Sequence, residues 1–165
     1  MVDQEATYRN IIRILDDNKA KYKLFNHKAA FTYEELQAVQ KEAGFFGTEG
    51  KCLVIKTKDD FVVCITIQGV KINFPKLKEI LNDKDIRLAN SEELRESFGA
   101  EPGCAYPFGY DENINIYIDP RVYAEEWFLF SPLFPTKTIQ VKGSDLRQVF
   151  SSLKNNTQES VDIFV

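Results

Sequence analysis

Glu101-Pro102-Gly103-Cys104-Ala105-Tyr106-Pro107-Phe108-Gly109 places two prolines and two glycines within nine residues, and the fold is read outward from it. Proline fixes φ and glycine reaches the left-handed region, so such a stretch turns tightly and stiffly. The backbone N–H groups of a loop of this kind can point into a cavity. An ester carbonyl, or the oxyanion of its tetrahedral intermediate, needs donors of that sort, each of which lowers a barrier by about 2.7–4 kcal/mol. Taken alone, the stretch reads more simply as a connecting turn.

On either side the chain alternates between strand and helix patterns. Downstream, Ile114, Ile116 and Ile118 alternate as a strand with one buried face, and Asp119-Pro120 opens a short helical turn. Strands follow near Trp127–Phe130 and 136–141, then a helix carrying Leu146, Val149, Phe150 and Leu153 on one stripe. Upstream, Asn90 and Glu93 form a capping pattern for a helix ending near Gly99, and 87–89 reads as a short strand. Pro75 suits the first turn of a helix reaching Leu81. The runs 51–57 and 61–67, separated by 58–60, predict a hairpin. Thr32 with Glu35, flanked by Phe31 and Leu36, marks a helix start with its hydrophobic staple, and Gly44 its end. Tyr8, Ile11, Ile12, Leu15 and Tyr22 keep helical spacing over residues 5–23. Residues 154–160 are expected to fray, with 161–165 either pairing as a terminal strand or staying loose. Strands broken by helices at irregular intervals predict an α+β domain. One domain over 1–165 is expected, its core over about 24–150.

Composition excludes several function classes. The 165 residues are 44% hydrophobic and 28% charged, as in a soluble globular protein. No apolar run approaches the roughly 20 residues that span a bilayer, so no membrane association is expected. The N-terminus carries no secretory pattern, and three cysteines without C-x-x-C spacing fit a reducing cytoplasm. A net charge of −4 argues against tracking long nucleic-acid backbones. The charge is uneven, however. Six lysines between Lys51 and Lys78 face two aspartates, and nine acids between Asn90 and Glu126 face Arg95 and Arg121. One basic and one acidic face fits this as well as a mixed solvated surface does. The single histidine, His27, rules out a several-histidine metal site, and no metal or cofactor is expected. There is no phosphate loop, dinucleotide fingerprint or nucleophile elbow. Lys51, opening an apolar strand after Gly50, is a candidate for neutralising a phosphate or holding a carbonyl. Alone it reads as a solvated lysine at a strand end.

In order along the chain, these features resemble the YbaK/prolyl-tRNA-synthetase-associated domain family. The resemblance spans roughly 24–150 and rests on several motifs. His27 stands before the Thr32-x-x-Glu35 helix start, and Lys51 opens Gly-Lys-Cys-Leu-Val-Ile. Leu88-Ala89-Asn90-Ser91-Glu92-Glu93-Leu94 is similar to a family helix entry, and Pro102 to Gly109 to its glycine–proline loop. Asp119 is similar to the family aspartate after the next strand. The resemblance implies a mixed, partly closed β-sheet with helices packed outside, like the insertion domain of bacterial prolyl-tRNA synthetases.

It also implies a free-standing aminoacyl-tRNA deacylase that hydrolyses the ester of a mischarged tRNA, with tRNA(Pro) carrying a small wrong amino acid as the expected substrate. Lys51, Gly103 and Pro107 would act on the ester. His27, Cys104, Ala105, Tyr106, Gly109 and Asp119 would contact the substrate. Water would attack with help from the substrate's ribose hydroxyl, without a metal, cofactor or protein nucleophile. The aminoacyl-tRNA acceptor end and prolyl-tRNA synthetase are the implied partners. His27 also reads as a structural histidine and Cys104 as a pocket-lining thiol. Ala105 replaces a common valine, and Phe130–Thr136 lacks the family's glycine and polar residue, which leaves the amino acid removed open. The alternatives are a non-catalytic module of the same fold that binds a tRNA end or a synthetase, and a small-molecule ester or amide hydrolase.

Overall fold

A computed structural model describes residues 2–165. The elements run α1 (Gln4–Asp17), β1 (Tyr22–Asn26), α2 (Tyr33–Ala43), β2 (Thr48–Lys56), β3 (Phe61–Ile67), α3 (Phe74–Leu81) and β4 (Arg87–Leu88). They continue with α4 (Ser91–Phe98), β5 (Asn115–Ile118), a 3-10 helix (Pro120–Ala124), β6 (Trp127–Phe130), β7 (Lys137–Lys142), α5 (Gly143–Ser151) and β8 (Thr157–Glu159). The eight strands form one mixed sheet in the order β1-β7-β6-β2-β3-β5-β8, with β4 beside β2, so the fold is α+β as expected. The path is open, ending on β1 and β8, so the sheet is not partly closed as the resemblance implied.

The strand β2 organises this sheet because it changes partners along its length. Thr48 and Glu49 pair in parallel with Phe128 and Leu129 of β6. From Gly50 to Lys56 it pairs antiparallel with β3. Alternate residues of each strand face opposite sides. Val54, Val63, Ile65, Phe128 and Phe130 face the main core beneath α1 and α5, filled by Ile11, Leu15, Leu146, Val149 and Phe108. The opposite face carries two separate clusters. Ile55, Val62, Cys64 and Leu77 pack under α3, and Val39, Phe45 and Leu129 under α2.

Several helix ends follow the sequence signals. Asn90 and Glu93 make a reciprocal capping box, and Gly99 closes α4 at φ +66°. The Thr32 hydroxyl accepts from Glu35 N, and Glu35 reaches back to the Phe31 N–H. Phe31 itself is exposed rather than stapled.

Two expectations are corrected. The helix over 5–23 stops at Asp17, because Lys19 takes a left-handed turn at φ +55°, and Tyr22 enters β1 opposite Val141. Residues 154–160 do not fray: β8 pairs in parallel with β5, and Asn155 Nδ2 donates to the carbonyls of Asp111 and Ile114. Ile163 and Phe164 then bury in the α3 cluster, so the core takes in both ends of the described chain. Among the described residues no helix is long and apolar enough to cross a membrane.

Gly50 sits where β2 crosses the core ring of Phe128. A Cβ there would lie 2.2 Å from Phe128 Cζ, far inside contact distance. Gly50→Ala is therefore expected to destabilise the fold by about 2–3 kcal/mol in urea unfolding, with Phe128→Leu restoring part of the loss. An alanine variant as stable as its parent would show that the ring gives way.

Candidate functional site

The nine-residue stretch begins with a turn whose chemistry is visible in its sequence. Cys104 N donates to Glu101 O at 2.9 Å, closing a four-residue turn. Pro102 occupies the second position and Gly103 the third, with φ +82°, as a type II turn requires. A Cβ on Gly103 would meet only Phe31 O at 3.6 Å, so backbone conformation rather than space selects glycine. Within the described residues the N–H groups of Gly103 and Ala105 make no hydrogen bond, and both residues line one cleft. The next loop braces this one. Leu133, fully buried and left-handed at φ +70°, donates from N to Cys104 O at 3.2 Å, and its carbonyl accepts from Glu101 N.

The other side of the cleft is β2, where it leaves β6. Beyond Glu49 the two strands part, opening a cleft of about 180 Å³ between β2, the start of α2 and the Gly103–Ala105 loop. Glu49, Lys51 and Leu53 share one face of β2 by the strand's two-residue period. Lys51 Nζ donates to Val70 O at 2.8 Å, and no carboxylate lies within 4 Å of it among the described residues. Opposite it across the hairpin stands Thr66.

Glu49 was not singled out by sequence, because the strand was expected to begin only at Lys51. Its i, i+2 spacing from Lys51 was the available signal. It is 9% exposed, and its Oε1 accepts from Gln40 Nε2 of α2 at 2.7 Å. Burial pushes its carboxyl up to about 7, with the Gln40 hydrogen bond opposing the shift. Glu49 is the one acid and Lys51 the one base among the residues lining the cleft. Gln68 and Ser131 add polar side chains, and Phe31 and Tyr33 stand partly exposed at its edge.

The structure brings together Lys51, Gly103 and Ala105 but not the other residues expected at the site. Cys104 turns inward and is 1% exposed; burial first, then Glu101, pushes its thiol up to about 12 against a hydrogen bond with Ser131. That leaves a protonated thiol rather than a nucleophile. Pro107 is buried. Tyr106 is buried too, its hydroxyl donating to Phe98 O and its ring stacked on Tyr110 at 4.4 Å. Gly109 packs beside Ile11 of α1, away from the cleft. His27 lies over β7, its Nε2 2.7 Å from Thr138 Oγ1 and its Nδ1 2.7 Å from Lys28 O. It borders a different hollow, with Val39 and Glu42. Asp119 is fully buried: Oδ2 accepts from Thr66 Oγ1 at 2.6 Å, and Oδ1 from Arg121 N and Nε. Its carboxylate is satisfied inside the protein, so it braces Thr66 behind Lys51 instead of facing a substrate. Among the described residues no three His, Cys, Asp or Glu side chains group as a metal site.

A family model described as an aminoacyl-tRNA editing domain matches residues 27–149. The proline–tRNA ligase of Bacillus velezensis is 33% identical over 91 residues, 53% of this chain and 16% of the ligase. That of Caldicellulosiruptor bescii is 26% identical over 132 residues, 76% of this chain and 23% of the ligase. The chain thus spans less than a quarter of the length of these two relatives. Among solved structures, a candidate trans-editing enzyme for prolyl tRNA synthetase superposes with a TM-score of 0.68 at 16% identity, covering 93% of this chain and 95% of that one. A hypothetical protein superposes with a TM-score of 0.71 at 13% identity, covering 91% and 97%. At these identities both show a shared fold.

Proposed function

The chain belongs to the aminoacyl-tRNA editing domain family, and from that premise we propose that it is a free-standing deacylase of mischarged tRNA. The observation that carries the reading is one cleft lined both by Lys51 and by Gly103 and Ala105, whose N–H groups make no hydrogen bond among the described residues. Water attacks the ester carbonyl, and those N–H groups donate hydrogen bonds to the carbonyl oxygen as it takes up the electron pair. Collapse of the intermediate breaks the bond to the ribose oxygen, which takes up the proton that water gives up. Lys51 keeps donors beyond the one on Val70 O, and these serve the phosphate of the terminal nucleotide or the carbonyl of the aminoacyl ester. An aminoacyl ester is already reactive, so holding it against these donors supplies much of what hydrolysis needs.

The substrate within this reading is tRNA(Pro) carrying a small amino acid such as alanine or cysteine. Two points support it: the kinship with proline–tRNA ligases, and a cleft smaller than the roughly 300–1,000 Å³ of drug-sized ligand sites. The deciding experiment offers the chain alone, without any synthetase, a panel of tRNAs charged with matched and mismatched amino acids. Release of a small amino acid from tRNA(Pro), with correctly prolylated tRNA spared, is the expected outcome. Stable binding of mischarged tRNA without release would make the protein a binding module of the same fold. Equal turnover of free aminoacyl esters would make it a small-ester hydrolase.

A further inference from the structure

The cleft holds an acid and a base that the protein does not pair with each other. Lys51 and Glu49 share one face of β2 two residues apart, yet no ion pair joins them. Glu49 is more than nine-tenths buried. Gln40 fixes one of its oxygens, and the other has no hydrogen-bond partner among the described residues. A carboxyl that is buried, oriented by a neighbouring amide and left half-bonded at a cleft is suited to receiving a cation. Its partner on β6, Leu129, lies in an apolar cluster with Val39 and Phe45, so the acid stands at the edge of apolar packing.

An aminoacyl ester of a nucleotide carries the complementary pair of charges: an α-ammonium beside the carbonyl, and phosphate beyond the ribose. We propose that the Glu49 carboxylate seats the α-ammonium of the aminoacyl group, so that a free amine is a condition of binding. This inference rests on the deacylase reading above. Gln40 is the positioning residue that turns Glu49 toward the cleft. Lys51 then lies on the nucleotide side, and the Gly103–Ala105 donors meet the carbonyl between them. The seat would also keep N-blocked aminoacyl groups, and esters without an amine, out of the cleft.

The test uses two amide-linked nucleosides, 3′-deoxy-3′-(L-alanylamino)adenosine and its N-acetyl derivative, which differ in the charge at nitrogen. Calorimetry near neutral pH is expected to show the parent binding the free amine about tenfold or more tightly. Glu49→Gln keeps the shape and the Gln40 contact and is expected to bring the two to within about twofold. Glu49→Asp, which keeps the charge, is expected to retain part of the preference. Equal binding of both by the parent, binding of neither, or a preference undiminished in Glu49→Gln would overturn the proposal. So would a Glu49→Gln variant that loses turnover on alanyl- and N-acetylalanyl-tRNA alike while its binding preference stays, since that pattern belongs to a general base. If the parent keeps the binding preference but releases no amino acid from any tRNA, the deacylase reading fails and the amine seat stands.

Discussion

Replacing Lys51 with alanine is expected to slow deacylation by about two to three orders of magnitude while the chain stays folded. The size follows from what the side chain does. It supplies the single positive charge among the residues lining the cleft, and a half-buried charge acts on a substrate more strongly than one in bulk water. The fold survives because, among the described residues, Lys51 pairs with no carboxylate and its ammonium bonds only Val70 O, at the chain turn after β3. Its removal leaves no buried charge behind, so the stability cost is expected to be no more than about 1 kcal/mol. Single-turnover rates on mischarged tRNA, together with urea unfolding of the same preparations, measure both quantities. Lys51→Met is the companion variant, keeping the stem and removing the charge. A rate within a few-fold of the parent in either would remove Lys51 from the reaction.

The second large effect is on stability, and its direction is the reverse of the usual carboxylate case. The Glu49 carboxyl rises from an ordinary 4.5 to about 7 because burial disfavours its charge, although the Gln40 hydrogen bond works the other way. The folded chain therefore holds this proton more tightly than the unfolded chain does. The resulting stabilisation is fully present below about 4.5 and lost as pH rises through about 7, about 3 kcal/mol in all. Glu93, held at about 2 first by Arg87 and then by the Asn90 N–H, acts in a separate window: its contribution is present above 4.5 and lost as pH falls through about 2. Urea unfolding at about pH 5 and pH 8 should show the parent losing about 2–3 kcal/mol relative to Glu49→Gln, which titrates nothing at that position. Parallel pH dependences in the two proteins would mean that Glu49 is not raised. The stability given up at higher pH is consistent with a carboxylate retained for binding.

Local signals carried much of the fold. The reciprocal Asn90/Glu93 box, the left-handed Gly44 and Gly99, and the β2–β3 hairpin all rest on contacts a few residues apart, which the order of residue types states directly. The strands β1 and β8 were not legible. Tyr22–Asn26 continues a helical spacing and Thr157–Glu159 is polar; each becomes a strand because a distant edge, β7 or β5, offers it hydrogen bonds. The surroundings of Asp119 and His27 were not legible for a related reason. Their residue types are equally suited to binding a ligand or to satisfying a neighbour. Thr66 and Arg121 in one case, and Thr138 in the other, are separated from them in ways that sequence order does not weigh.

The sequence by itself determined the turn at Pro102-Gly103, since only a residue free of Cβ sits easily at φ +82°, and it placed a lysine in the strand β2, although that strand begins at Thr48 and not, as expected, at Lys51, because β6 offers Thr48 and Glu49 a partner. Tertiary structure alone decided which residues meet. Because β2 holds β6 for two residues and then leaves it, a cleft opens where Glu49, Lys51, Gly103 and Ala105 converge. The burial that makes Glu49 unusual exists only once α2 lies over that strand.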